Sequence, residues 1–139
     1  MDAKELRIGN LVKINNSLLI ETENEIYKII GFNERTDWEF PDSDGVISLQ
    51  HIESIRTYSQ FSQFIEPIPL TEEWLLKFGF EYDSIIWGKE LLMLSPNETF
   101  FNIWVETLTY GRLEIEMRYV HQLQNLYFAL TGEELNYTK

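Results

Sequence analysis

Two periods alternate along the chain, and the sharpest change between them lies at residues 112–135. Leu113, Ile115, Met117 and Tyr119 alternate with Arg112, Glu114, Glu116 and Arg118, the period of two expected of a strand with one buried and one wet face. At Val120 the period changes. Val120, Leu123, Leu126, Tyr127 and Leu130 recur at helical spacing, with His121, Gln122, Gln124 and Asn125 opposite them. Gly132 stands where a left-handed helix terminus needs glycine, and Leu135 can fold back as the accompanying apolar contact. The pattern predicts a strand that feeds directly into an amphipathic helix.

Upstream, the pattern is one of short strands. Glu5–Ile14 reads as a first strand whose alternation slips at Gly9-Asn10, followed by turn chemistry at Asn15-Asn16-Ser17. Leu18–Thr22 and Ile26–Phe32 read as the next two, with a bend expected at Gly31. Val46–Leu49 reads as a short strand, His51-Ile52-Glu53 as a tight turn and Ser54–Tyr58 as a closing strand. No helix is expected before Ser59. Short strands with bending glycines predict an all-β lobe over residues 1–66, a small curled sheet or barrel resembling the SH3-like type.

Ser59–Pro69 reads as a joint, with Pro67 and Pro69 holding Glu66 and Ile68 extended. A short helix is then expected, capped by Thr71, with Glu72 and Glu73 at the positive end of its dipole and Leu70 packed on Leu75. Trp74, Leu75 and Phe78 form its buried side and Gly79 ends it. Ile85–Trp87 and Leu91–Leu94 read as strands joined by a hairpin turn at Gly88-Lys89-Glu90, and Ser95-Pro96-Asn97-Glu98 as another turn. Phe101, Ile103 and Val105 then alternate with Asn102, Trp104 and Glu106. Residues 67–139 are thus expected to form an α+β lobe of helix, three or four antiparallel strands and C-terminal helix. Trp104, on the face opposite Phe101, implies either a sheet covered on both sides or an exposed contact residue.

Composition narrows the function classes. A chain of 139 residues that is 44% hydrophobic and 14% aromatic can bury a substantial interior. The absence of cysteine removes disulfides, thiolate ligands and cysteine nucleophiles, and suits a reducing cytoplasm. Residues 1–10 lack the apolar run of a signal peptide, and no stretch has the length of a membrane span. Net charge is −12, with 12 acids and 6 bases in residues 1–66 and 11 acids and 5 bases in residues 67–139. No cluster of Lys/Arg offers itself to a phosphate backbone, so direct nucleic-acid binding is not expected. A basic protein partner suits the same field.

Enzyme and metal signatures are weak. His51 and His121 are the two histidines; Asn125 stands where a helical metal pair would need a second histidine after His121, so that ring is expected to be exposed or locally bonded. Asp42-Ser43-Asp44-Gly45 begins like a calcium loop but lacks the later acidic ligand. Glu114 and Glu116 share a strand face, but Arg112 and Arg118 flank them, which favours a salt-bridged wet face over paired catalytic carboxylates. No phosphate loop, G-x-S-x-G elbow or CxxC is present. No cofactor, metal or enzymatic activity is expected. Surfaces are the better candidates. Residues 34–44 combine Glu34, Asp37, Glu39, Asp42 and Asp44 with Trp38 and Phe40. The aromatic pair is either an interface hot spot oriented by carboxylates or a plug for the end of a small barrel. A second candidate is Phe61 and Phe64 in the joint, which either contact a partner or pack internally.

Three stretches carry a family resemblance: LRIGNLV at Leu6–Val12, IEPIPLTEEWLLKFGF at Ile65–Phe80 and YVHQLQNLYFALTGEEL at Tyr119–Leu135. The chain resembles an uncharacterised family of short proteins common in phages and mobile elements of Bacteroidetes-type bacteria. The resemblance implies a shared scaffold and a mobile-element setting, in the host cytoplasm, and supplies no site residues. Small acidic proteins in that setting are often inhibitors of host defence, anti-CRISPR proteins among them. That setting points to a basic host protein as partner, an RNA-guided RNA nuclease of the type VI-B kind being one example. The chain itself is expected to be a monomer or weak homodimer. The rival expectation is an assembly factor of the element that self-associates through Trp104 or Phe61 and Phe64.

Overall fold

A computed structural model describes residues 3–16, 19, 24–33, 46–84, 86–89, 92–97, 100–107 and 111–137, with backbone alone for Ala3, Asn33, 104–107 and 111–114. The chain divides into two units, Met1–Ile68 and Pro69–Lys139. Each is built on a five-stranded antiparallel sheet, and the second adds two α-helices. The architecture is α+β.

In the first unit, the opening strand starts later than the alternation predicts. Gly9 takes a left-handed φ of 98°. The Asn10 N–H donates to the Arg7 carbonyl (3.1 Å), and Asn10 Oδ1 accepts from the Arg7 N–H (2.7 Å). That closed turn, after a 3-10 turn at Ala3–Glu5, leaves β1 only Leu11–Ile14. The strand expected at Leu18–Thr22 lies almost wholly outside the described residues. β2 (Tyr27–Asn33) pairs with both β1 and β3 (Val46–His51). Its register with β3 slips between Ile29 and Gly31, placing a bulge where the glycine predicted a bend.

The closing strand and the joint are both corrected. β4 spans Thr57–Phe61, not Ser54–Tyr58, because the His51 N–H reaches the Arg56 carbonyl (2.9 Å) and keeps residues 52–55 in the turn. A 3-10 turn at Ser62–Phe64 then leads into β5, Ile65–Glu66, which lies along β1 with Ile14 opposite Ile65. Residues 59–66 of the segment read as a joint are therefore strand and 3-10 turn, and the division between the units falls near its end, at Ile68 and Pro69. The strand order is β4-β3-β2-β1-β5, with β4 and β5 as edges, so these pairings form an open ladder. Leu6, Val12, Ile14, Tyr27, Ile29, Ile47, Leu49 and Ile65 make the core, and Tyr58 packs on it edge-to-face against Tyr27.

In the second unit, α1 (Glu72–Lys77) follows its sequence signals closely. Thr71 Oγ1 accepts from the Trp74 N–H (3.4 Å), and Leu70 and Leu75 are both buried. Gly79 has φ 82°. Its N–H donates to the Leu76 carbonyl (3.0 Å) while the Phe80 N–H donates to Leu75 (2.9 Å), the two bonds of a Schellman terminus. Five strands follow, where three or four were expected: β6 (Glu81–Tyr82), β7 (Trp87–Lys89), β8 (Leu92–Pro96), β9 (Phe101–Thr107) and β10 (Gly111–Met117). They form a meander in the order β10-β9-β8-β7-β6. Gly88 and Lys89 lie inside β7 and not in a turn. A reversal instead lies between β6 and β7, where Ser84 takes φ 83° and Asp83 Oδ1 accepts the Ile86 N–H (2.9 Å), and Lys89 pairs directly with Leu92 of β8.

Cross-strand register sorts the two faces. Trp87, Leu94, Ile103 and Ile115 are successive partners on one face, the first three buried and the last half-buried. Lys89 shares that face. Its Nζ donates to the Phe78 carbonyl at the end of α1 (2.7 Å) and lies 5.7 Å from the Tyr127 ring of α2 (Val120–Thr131), so both helices meet this side of the sheet. Pro69 and Tyr119 form an isolated bridge, which brings the entries of the two helices together.

Tyr119 is the residue preceding α2 and not the end of the strand; its N–H and that of Arg118 both donate to Gln122 Oε1 (3.1 and 3.0 Å). The helix is also rotated from its expected orientation. Val120, His121, Leu123, Gln124 and Tyr127 are buried, whereas Leu130 is 41% exposed and Leu126 half-buried. Leu126 and Leu130 drew the predicted apolar stripe to one side, and the face that packs is centred on Val120, Gln124 and Tyr127, one turn apart. Gly132 closes the helix with φ 73°, and Leu135 is buried.

Two substitutions test these termini by denaturant unfolding. Thr71→Ala is expected to cost about 1 kcal/mol. Gly79→Ala is expected to cost about 1–2 kcal/mol, since its new Cβ adopts a left-handed backbone and stands 3.2 Å from Lys89 Nζ.

Candidate functional site

The strongest sequence candidate, Glu34, Asp37, Trp38, Glu39, Phe40, Asp42 and Asp44, lies outside the described residues, as does the Asp42–Gly45 stretch. The structure does fix what brackets it. Asn33 and Val46 are direct partners at the ends of β2 and β3, so residues 34–45 connect two paired strands. One pair inward, Phe32 stands opposite buried Ile47 and is itself 42% exposed. That end of the N-terminal sheet thus presents an aromatic ring beside the connection.

The second candidate separates into parts. Phe61 ends β4, Phe64 ends the 3-10 turn, and both are half-buried. Tyr58 belongs to the core of its own unit through Tyr27, with ring centroids 5.5 Å apart. Trp104 sits in mid β9, between Met93 on β8 and Glu114 on β10. Glu116 and Arg118 form an exposed ion pair at 3.3 Å, and Arg118 also stacks over the Phe100 ring. Arg112 stands opposite Glu106 in register.

Both histidines are buried. His51 is held at three points: its Nε2 lies 2.6 Å from Glu25 Oε2, its Nδ1 accepts the Glu53 N–H (3.3 Å), and its ring meets Tyr27 edge-on. Because Nδ1 accepts, Nε2 carries the proton that reaches Glu25. The pair fastens the approach to β2 onto the end of β3, a structural role. His121, expected to be exposed or locally bonded, is 2% exposed and stacks on Tyr119 at 5.8 Å, because the rotation of α2 carries it inward. Among the described residues no group of three His, Asp or Glu side chains is placed to hold a metal, and no helix is long and apolar enough to cross a membrane.

What sequence reasoning missed lies on the second face of the C-terminal sheet. There Glu81, Gly88, Met93, Trp104 and Glu114 are successive partners across all five strands. A cavity of about 520 Å³ opens at the β6–β7 side of this row, lined by Gly79, Glu81, Asp83, Ile86, Gly88, Lys89, Leu92 and Met93. Glu81 and Asp83 are exposed, Ile86 and Met93 half-buried. The arrangement offers an apolar wall and two carboxylates, with no nucleophile–base pair among them; it can seat an amphipathic cation. Gly88, flanked by Trp87 and Lys89, was the available signal, but a glycine in a short segment reads as a turn.

No protein-family model, characterised protein or solved structure matches the chain.

The contacts made by Glu25 and Glu116 should differ in weight. Glu25→Ala removes the acceptor from a buried ring and is expected to cost about 1–3 kcal/mol. Glu116→Ala is expected to cost under about 0.5 kcal/mol. Urea titrations of the two variants check the contrast.

Proposed function

We propose that the chain is a non-enzymatic interaction protein of a phage or mobile element that binds and inhibits a basic, nucleic-acid-handling protein of host defence. What carries this reading is the distribution of charge. Met1–Ile68 holds 12 acids against 6 bases and Pro69–Lys139 holds 11 against 5, so each unit carries −6. An acidic tail would give a local field; two acidic units present it over the whole molecule and complement a channel lined with Lys and Arg. Such a surface competes with guide RNA or target nucleic acid for the same cations, as an anti-CRISPR protein against a type VI-B RNA-guided RNA nuclease would.

The first unit supports this as a docking scaffold of SH3-like type. Its order β4-β3-β2-β1-β5, the 3-10 turn before the last strand and the bulge at Gly31 are features that such a lobe would have. Residues 34–45 join β2 to β3 in it, and Glu34, Asp37, Trp38, Glu39, Phe40, Asp42 and Asp44 make the main contact with the partner.

Affinity capture from a host lysate tests the reading, with and without nuclease treatment, at low and high salt. A basic nucleic-acid enzyme retained after nuclease treatment and released by salt is the expected result; recovery of the chain alone overturns it in favour of self-assembly. Reversing the charge of Asp37, Glu39, Asp42 and Asp44 together is expected to weaken that capture about tenfold or more without lowering Tm, and unchanged affinity sinks the assignment of the contact.

A further inference from the structure

We infer that the cavity beside Gly88 is a second contact for the same basic partner, and that it takes an arginine side chain from an extended segment of that protein. This inference rests on the reading above.

Gly88 is what creates the space. It lies within β7, paired with Glu81 on one side and Met93 on the other. Its backbone has no left-handed φ, and a Cβ built on it meets nothing nearer than the Leu92 carbonyl oxygen at 3.9 Å, an ordinary contact. Neither conformation nor crowding therefore demands glycine here. Strand interiors disfavour it, and the absent side chain leaves a trough between the two neighbours on its row. Gly79 makes the contrast, since its positive φ and the Lys89 ammonium account for it fully.

The walls select the occupant. Met93 and Ile86 supply half-buried apolar surface for a three-carbon stem, and Glu81 and Asp83 supply exposed carboxylates for its head. No ion pair with Glu81 is formed among the described residues. Asp83 Oδ1 accepts the Ile86 N–H, which orients its carboxylate. Lys89 also lines the cavity, but its ammonium is drawn to the Phe78 carbonyl at the end of α1. A guanidinium, planar and with five N–H donors, can serve two carboxylates at once, as an ammonium does less well. The excess of acids in the same unit favours a cation over a neutral amphipathic group.

Fluorescence anisotropy with a labelled nonapeptide carrying arginine at alternate positions tests this on the full chain. The same peptide with citrulline for arginine is the control. Gly88→Leu fills the trough without backbone strain, and Glu81→Gln removes one carboxylate. Both variants are expected to keep the parent Tm and to lose about tenfold in affinity for the arginine peptide, and the citrulline peptide is expected not to bind. Equal affinity of Gly88→Leu and the parent chain overturns the site. So does a parent chain that binds both peptides alike or neither. The charge-reversed variant at Asp37, Glu39, Asp42 and Asp44 separates the two claims. If it alone loses the peptide, the trough is wrong while the acidic interaction reading stands; if lysate capture by the parent chain fails as well, that reading falls with it.

Discussion

Strand parity in the C-terminal sheet is the constraint from which the rest of that unit follows. Once Trp87, Leu94 and Ile103 are committed to the helix side, every second residue is committed to the other. The inner choice is enforced by burial of three large apolar side chains, each contributing about 1.5–3 kcal/mol. The outer row is then not selected for the core at all, and its composition is open to surface use. Lys89 is the charged residue carried inward by this parity. Its position becomes tolerable because the Phe78 carbonyl, an orphan acceptor at a helix end, and the face of Tyr127 both receive the ammonium.

The N-terminal unit handles its buried polar groups in a comparable way. Asn10 is fully buried, and its side chain closes the turn with Arg7 while its backbone bonds Ile29. His51 is satisfied through Glu25 and Glu53 and wedged against Tyr27. Each polar group sits at a chain reversal, where the backbone would otherwise leave donors unpaired. Without disulfides, these local ties and the apolar core together hold the short strands in register.

Legibility in the sequence followed the length of the element and the redundancy of its signals. α1 was readable because Thr71, Glu72, Glu73, Leu70 and Gly79 all agree on its bounds. β9 and β10 were readable because seven residues give the alternation room to show. β5 and β6 have two residues each, too few for any period, and exist through partners distant in sequence for β5 and through a four-residue reversal for β6. The rotation of α2 was hidden because Leu126 and Leu130 carry apolar weight near the helix end without being the residues that pack. Gly88 was misread for a similar reason: its meaning lies in Glu81 and Met93, and register is not written in either segment alone. Of the surface chosen from the sequence, residues 34–44 remain defined by their composition and by the paired strand ends that bracket them.

Both units are closed by pairings between segments far apart in the chain, and this bears on how the molecule comes to be folded. Ile14 meets Ile65, and Pro69 meets Tyr119, while between those closures most strands are joined to their sequence neighbours by hairpins. Hairpins of this kind form within microseconds. The closures must instead recover the entropy of loops about fifty residues long, a cost that grows only logarithmically with length but is met before the contacts reward it. The final strand of the first unit and the helix entries of the second are thus the late steps. During synthesis β1 keeps an unpaired edge until β5 has emerged, while the outer edge of β4, Thr57–Phe61, stays unpaired in the finished sheet as well and carries no guarding charge within it.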